Sequence, residues 1–576
     1  MKKDSIMIEQ LRNRIRAARG EIGPDLILKG GRVINVFTRE IIERDVAIYD
    51  GIIVGIGAYK GPHILDVKGQ YVCPGFMDGH FHIESTMLSP SELAIAVLPY
   101  GTTAIVADPH EIANVMGKGG INYVIESSTG LPVDFYIMLP SCVPATHLET
   151  SGATLSCDDL ITFRNEPRVL GLAEMMNYPG VITGANDVLD KLTAFSDMVQ
   201  DGHAPLLEGN DLNAYITAGL RSDHECSSLT EAREKLRLGM HLMIREGTQA
   251  KNLRTLLPIV TPATLNQCSL VSDDLHPHDL LRNGHLNNLV DIVVGAGVDP
   301  VSAITMVTLN TARFFGLKNL GAVAPGYQAD ILILSSLQPV EVKTVIKNGR
   351  IVFDRGKFTA EISRPSTINC LSPMNISPYE PNSFAIHQQG TSIRLISLIT
   401  DQLITESRVI TAPVEIGVLV SDVKQDIIKV VVVERHHGTG NIGLGMVQGF
   451  GIQQGALASS VAHDAHNIIA VGCTDSDLYL AVKTVEKMGG GLAAVKDGEV
   501  LSTLPLPIAG LMSDKPLKGV AEGWENMATA AKILGCRVKE PFMALSFLAL
   551  PVIPELKITD KGLVDVRQFK HVPLFL

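Results

Sequence analysis

Residues 75–82 read Gly-Phe-Met-Asp-Gly-His-Phe-His, and this stretch decides the fold. On a β-strand, side chains two residues apart share a face, so His80 and His82 point the same way. Seven more candidate strands follow it: TTAIVADPH, DFYIMLP, VLGLAEM, an ill-defined one ending near GHAP, AGLRSDHE, HLMIREG and CSLVSDD. Helix-length stretches follow most of them, such as PSELAIAVLPY after the first and LTEAREKLRLG after the sixth. Eight β-α alternations across residues 74–320 predict a (β/α)8 barrel, with an open doubly wound sheet as the alternative.

β-rich pieces at 25–73 find a partner much later, at ADILILSS (329–336) and VKTVIKNGRIVFDRGKF (342–358). Two such pieces flanking the barrel predict one small β domain, 25–73 plus 321–360, split by it. Residues 1–24 read as a charged amphipathic helix. The Pro- and Ser-rich stretch 364–382 reads as a linker, and 383–576 as a C-terminal α+β domain. The expected class is therefore α/β, a barrel with a split β domain and an appended α+β domain.

A net charge of −12 argues against nucleic acid or an anionic membrane surface as a partner. The eight cysteines lack a C-x-x-C pair, which points to a reducing compartment. With no signal-like apolar run and no membrane-length one, a cytoplasmic location is expected.

Barrel enzymes keep their sites at the C-terminal ends of the strands. Polar residues gather at those expected ends: His80, His82, Asp108, His110, Glu174, His203, His224, Asp273 and Asp274. Burying so many polar groups unpaired would cost several kcal/mol each, whereas a metal centre satisfies them together. Gly438-Thr439-Gly440-Asn441-Ile442-Gly443 matches a dinucleotide-binding pattern, but Gly445, Gly449, Gly451 and Gly455 follow, so no stable helix is expected after it. Tight turns or close backbone packing are the expected roles of these glycines.

The segment PGFMDGHFHIEST (74–86) resembles the first-strand motif of the amidohydrolase superfamily, and GAVAPGYQADILIL (321–334) its re-entry into the small β domain. ADPHEIANV (107–115), LAEMMN (172–177), DGHAP (201–205), SDHE (222–225) and SDD (272–274) resemble the adenine deaminases. So do ERHHGTGNIGLG (434–445) and SSVAHDAHN (459–467) of the third region.

The resemblance implies hydrolytic deamination of adenine to hypoxanthine and ammonia, a purine-salvage reaction, at two divalent metal ions. His80, His82 and Asp273 would bind the first ion, and His203 and His224 the second. Glu174 would bridge them, in place of the carboxylated lysine of many relatives. Asp273 would also handle protons, and Glu225 would relay one to a ring nitrogen. Read from the residues themselves, Glu84 and Ser85 could contact the base or cap the strand-to-helix turn, and Asp108 and His110 could line the substrate pocket or brace its ligands. His463 or His466 would sit at the pocket rim, unless their segment is simply a local cap. Imidazole and carboxylate donors suit Mn, Fe or Zn. The expected partners are adenine and water, with a homo-oligomer as the expected assembly. Hydrolysis of a cyclic amide and a catalytically inactive barrel are the competing expectations.

Overall fold

The computed structural model describes residues 2–359, 361–362, 374–399 and 402–576. The eight barrel strands are β1 (Phe76–Phe81), β2 (Thr102–Ala107), β3 (Asp134–Leu139), β4 (Val169–Met175), β5 (Val199–Gly202), β6 (Ser222–Asp223), β7 (His241–Arg245) and β8 (Cys268–Val271). β1 to β5 pair in order and in parallel, as do β6 to β8. The Gly202 N–H donates to Ser222 Oγ at 3.1 Å between β5 and β6, and the Asp273 N–H donates to the His80 carbonyl at 3.0 Å between β8 and β1. Those two contacts close the ring, so the open-sheet alternative does not hold.

The barrel interior is apolar at depth. Val106, Met138, Ala173, Met243 and Val271 pack with Phe315 in one cluster, and Met77 and Ala104 in another. Register shifts in β1 against β2, between Phe76 and Met77 and between Asp78 and Phe81, re-aim the end of that strand. Helix Leu229–Arg237 after β6 begins where Ser228 Oγ accepts the Glu231 N–H at 3.3 Å, an N-cap that the sequence LTEAREKLR then extends.

One mixed sheet joins the two ends of the split β region. Val72 of Tyr71–Pro74 pairs with Val33 in strand Leu26–Asn35 and with Ile333 in strand Ile331–Leu337. The N-terminal helix spans Lys2–Ala18.

An eight-stranded, mostly antiparallel sheet forms the core of the C-terminal region. Helix Asp475–Lys487 covers one face through Leu478, Ala481, Val482 and Val485. Side chains of the other face, including Val430, Val432 and Leu457, belong to the same apolar cluster as the barrel's outer core. Of the linker expected at 364–382, residues 364–373 lie outside the described residues. Tyr379 and Phe384 already pack into the core beneath helix Asp475–Lys487.

The glycine-rich run binds its own carboxylate. Glu434 accepts the N–H groups of His436, His437 and Thr439 and the Thr439 hydroxyl, which occupies the donors a phosphate would need. A strand, Ile442–Gln448, follows it, and a Cβ at Gly443 would lie 1.9 Å from the Thr559 carbonyl oxygen. Close backbone packing therefore accounts for that glycine.

Candidate metal centre and active site

Glu174, near the end of β4, sits at the centre of a ring of imidazoles. Its Oε2 is 2.6 Å from His203 Nδ1 and 3.2 Å from His224 Nε2. Its Oε1 is 3.5 Å from His82 Nε2 and 3.8 Å from His110 Nδ1. His80 and His82 come from the end of β1, and His203 and His224 from the residues just past β5 and β6. Asp273 follows β8 with a φ of 59°, a left-handed turn that short polar side chains tolerate. That turn puts Asp273 Oδ1 3.3 Å from His82 Nε2 and 3.9 Å from His80 Nε2.

The electrostatics match this crowding. Burial favours the neutral form of Glu174, but His203 and His224 hold its carboxyl well below the usual range. Burial depresses His203, yet Glu225 and Glu174 push it up to about 9. Burial likewise opposes charge on His82, and Asp273, Asp274 and Glu174 outweigh it. The carboxylate charge that draws protons to these imidazoles would equally favour a divalent cation, which takes their place once the rings are deprotonated.

Among the overlapping groups that could each hold an ion are His80, His82 and Asp273; His80, Glu174 and His224; His82, Asp108, His110 and Glu174; and His203, His224 and Glu225. His80 Nε2 is buried without a hydrogen-bond partner, while its Nδ1 lies 3.1 Å from Asp201 Oδ2. A carboxylate behind a ligand histidine is the usual way of fixing its tautomer. The donor set contains no thiolate, so the residues fit a hard or borderline divalent metal.

The structure separates the other expected pocket residues. His110 lines the main cavity beside Glu174, with its Nδ1 3.1 Å from Asp108 Oδ2, whereas Asp108 stays behind it. Glu84 and Ser85 do not line that cavity. Glu84 Oε1 accepts the Ile112 N–H at 3.0 Å, Ser85 Oγ donates to Asp274, and both face a small void of about 20 Å³ next to it. His463 lines the cavity, with its Nδ1 3.3 Å from Glu111 Oε1. His466 is fully buried behind it, and its Nδ1 accepts the Ala462 N–H at 3.2 Å. Glu225 lies at the cavity wall, with both oxygens bound by Arg245.

Sequence reasoning did not single out Asp201, Glu111 or Arg245. Asp201 was legible in principle, two residues before His203 on a short strand. Arg245 had a weaker signal, a charge closing a strand whose middle, Leu242 to Ile244, is apolar. Glu111 gains its histidine partners, His463 and His466, only from the C-terminal region.

The cavity itself measures about 2090 Å³, beyond the roughly 300–1,000 Å³ of common small-ligand sites. Its outer wall includes Leu403, Phe547, Leu550 and Phe569 of the C-terminal region. The loop after β3 is stapled there. Asp560 accepts from the Thr150 N–H and hydroxyl at 2.9 and 2.6 Å, and Thr559 Oγ1 donates to the Leu148 carbonyl at 2.9 Å. The C-terminal region thus walls the barrel mouth.

Comparisons with known proteins agree with this organisation. Residues 71–352 match the model of the Amidohydrolase family, and residues 402–570 that of the Adenine deaminase C-terminal domain. An adenine deaminase of Dehalococcoides mccartyi is 47% identical over 568 residues, 98% of this chain and 100% of that protein. One from Desulfatibacillum aliphaticivorans is 50% identical over 97% of this chain and 99% of its own length. A third, from Methanothrix thermoacetophila, is 46% identical over 98% of this chain and 100% of its own. With full-length identity at this level, joined to an amidohydrolase barrel whose mouth carries the histidine–carboxylate cluster, the chain belongs to the adenine deaminase family.

Proposed function

We propose that the chain hydrolyses adenine to hypoxanthine and ammonia. The observation that carries this reading is the ring of imidazoles around Glu174, at the mouth of a barrel whose full-length relatives are adenine deaminases. In this reading His80, His82 and Asp273 would hold one divalent ion and His203 and His224 the other, with Glu174 available to both. The donors suit Mn or Fe, with Zn also compatible. Two divalent ions, when bound, lower the pKa of water enough to make a nucleophile available near neutral pH.

The chain's own residues orient the base and move protons. Asp273 accepts the proton of the attacking water and returns it to the departing amine. His110 and Glu225 face the same cavity and contact the base. Glu84, Ser85 and Asp108 support this wall from behind. His463, with His466 packed beneath Glu111, closes it from the C-terminal side. Walling off the mouth excludes water and strengthens each of these polar contacts.

The same reading divides the chain into an N-terminal helix, the split β domain, the barrel and the C-terminal domain. It also includes a homo-oligomeric, cytoplasmic enzyme. Seven cysteines among the described residues are free thiols, in keeping with a reducing compartment. No helix among the described residues is long and apolar enough to cross a membrane.

The test is to supply metal-loaded protein with adenine, adenosine, guanine and dihydroorotate, and to assay each product. Adenine should give hypoxanthine with stoichiometric ammonia, while adenosine reacts poorly. Fast turnover of adenosine, or activity confined to the cyclic amide, overturns the reading.

A further inference from the structure

Strand β7 brings a cation to the ligand cluster. Arg245 closes that strand two residues beyond Met243, whose side chain lies in the barrel interior. Alternate strand residues share a face, so Arg245 enters the mouth. Its Nη2 donates to Glu225 Oε2 at 2.8 Å, and its Nη1 donates to Glu225 Oε1 and, at 2.6 Å, to Asp273 Oδ2.

Asp273 therefore uses its two oxygens differently. The guanidinium takes Oδ2, and Oδ1 faces His82 and His80. Glu225 Oε1 in turn lies 3.5 Å from His224 Nε2 and 3.8 Å from His203 Nδ1. One side chain thus links the carboxylate beside the first histidine pair to the carboxylate beside the second.

We propose that Arg245 is a positioning residue for the deamination: it fixes the rotamers of Asp273 and Glu225, leaving Asp273 Oδ1 to face the reacting centre. This rests on the function proposed above. A planar guanidinium can bind one carboxylate in a fork and still reach a second, whereas a lysine ammonium is a single point charge. Without that link, buried Asp273 and half-buried Glu225 repel and Asp273 is free to turn. A misplacement of about 1 Å at a reacting group can cost on the order of 10²-fold in rate.

The experiment compares Arg245→Met, Arg245→Lys and Arg245→Gly with wild type, all metal-replete and supplied with adenine. In Arg245→Met, kcat should fall by roughly 10²-fold, more than any accompanying drop in metal content or melting temperature accounts for, while KM stays near wild type. Arg245→Lys should recover only a small part of the loss. Millimolar guanidinium should raise kcat of Arg245→Gly several-fold and leave wild type unchanged. Near-wild-type kcat in Arg245→Met overturns the proposal. So does a loss that follows metal content or melting temperature and does not respond to guanidinium. If Arg245→Met fails to fold, full activity in Arg245→Lys overturns it, because that variant keeps the charge but not the fork. Wild type that leaves adenine untouched overturns the proposed function instead, a result no Arg245 variant can produce.

Discussion

Lys235 offers the sharpest test of how the second histidine pair is held. It lies on helix Leu229–Arg237 and is 1% exposed. Its Nζ donates to Asp223 Oδ2 at 3.0 Å, to Glu231 Oε1 at 2.8 Å and to the Ala204 carbonyl at 2.6 Å. Asp223 also accepts the Ala204 N–H at 2.8 Å. One buried ion pair therefore ties the residue after His203 to the residue before His224. Burial opposes charge on Asp223, but Lys235 holds its carboxyl below the ordinary range. Lys235→Met strands that carboxylate, leaving it the Ala204 N–H and Cys226 Sγ. Removing one partner of a buried pair costs about 3–5 kcal/mol. In Lys235→Met/Asp223→Asn the stranded charge is gone, so about half of that loss should return. Urea denaturation followed by circular dichroism measures the stability, and elemental analysis measures the metal, which should fall in the single variant. The reasoning is refuted if Lys235→Met stays within about 1 kcal/mol of wild type with full metal content, or if the double variant is no better than the single.

Four further outcomes are expected. His203→Ala and His224→Ala should each lower metal content more than surface substitutions do, and a fully active metal-free wild type would contradict the binuclear reading. Asp273→Asn should keep the fold and much of the metal while kcat drops by at least roughly 10²-fold, measured on metal-replete protein. His463→Ala should raise KM or lower kcat at unchanged metal content and melting temperature. Burial lowers His241 from 6.5 to about 4, so as pH falls the unfolded chain takes up that proton first. Its contribution is complete above pH 6.5 and is lost between about 6.5 and 4, a difference of about 3 kcal/mol. His241→Phe, which can keep the stacking on Phe314, should flatten the acid loss of stability in that window in denaturation series run at several pH values.

The amino-acid sequence determined the parts of this protein that depend on local pattern. An apolar run that ends in His-x-His specifies both a buried strand and the face on which its imidazoles emerge. The same logic made Glu174, His203, His224 and Asp273 legible, because each lies at or just past the end of a short strand in a repeating β-α order. The strand near GHAP was faint because Val199–Gly202 is short and ends in Asp-Gly, with little apolar alternation to read. What only the tertiary structure decided are the pairings across the chain. Arg245 meets Asp273 across neighbouring strands, and Glu111 meets His463 through more than three hundred intervening residues. His463 and His466 looked equivalent in the sequence, and packing put one at the cavity wall and the other behind it. No local rule encodes such contacts, because hydrogen bonds and ion pairs form between whichever groups the closed barrel and the docked C-terminal sheet bring within about 3 Å.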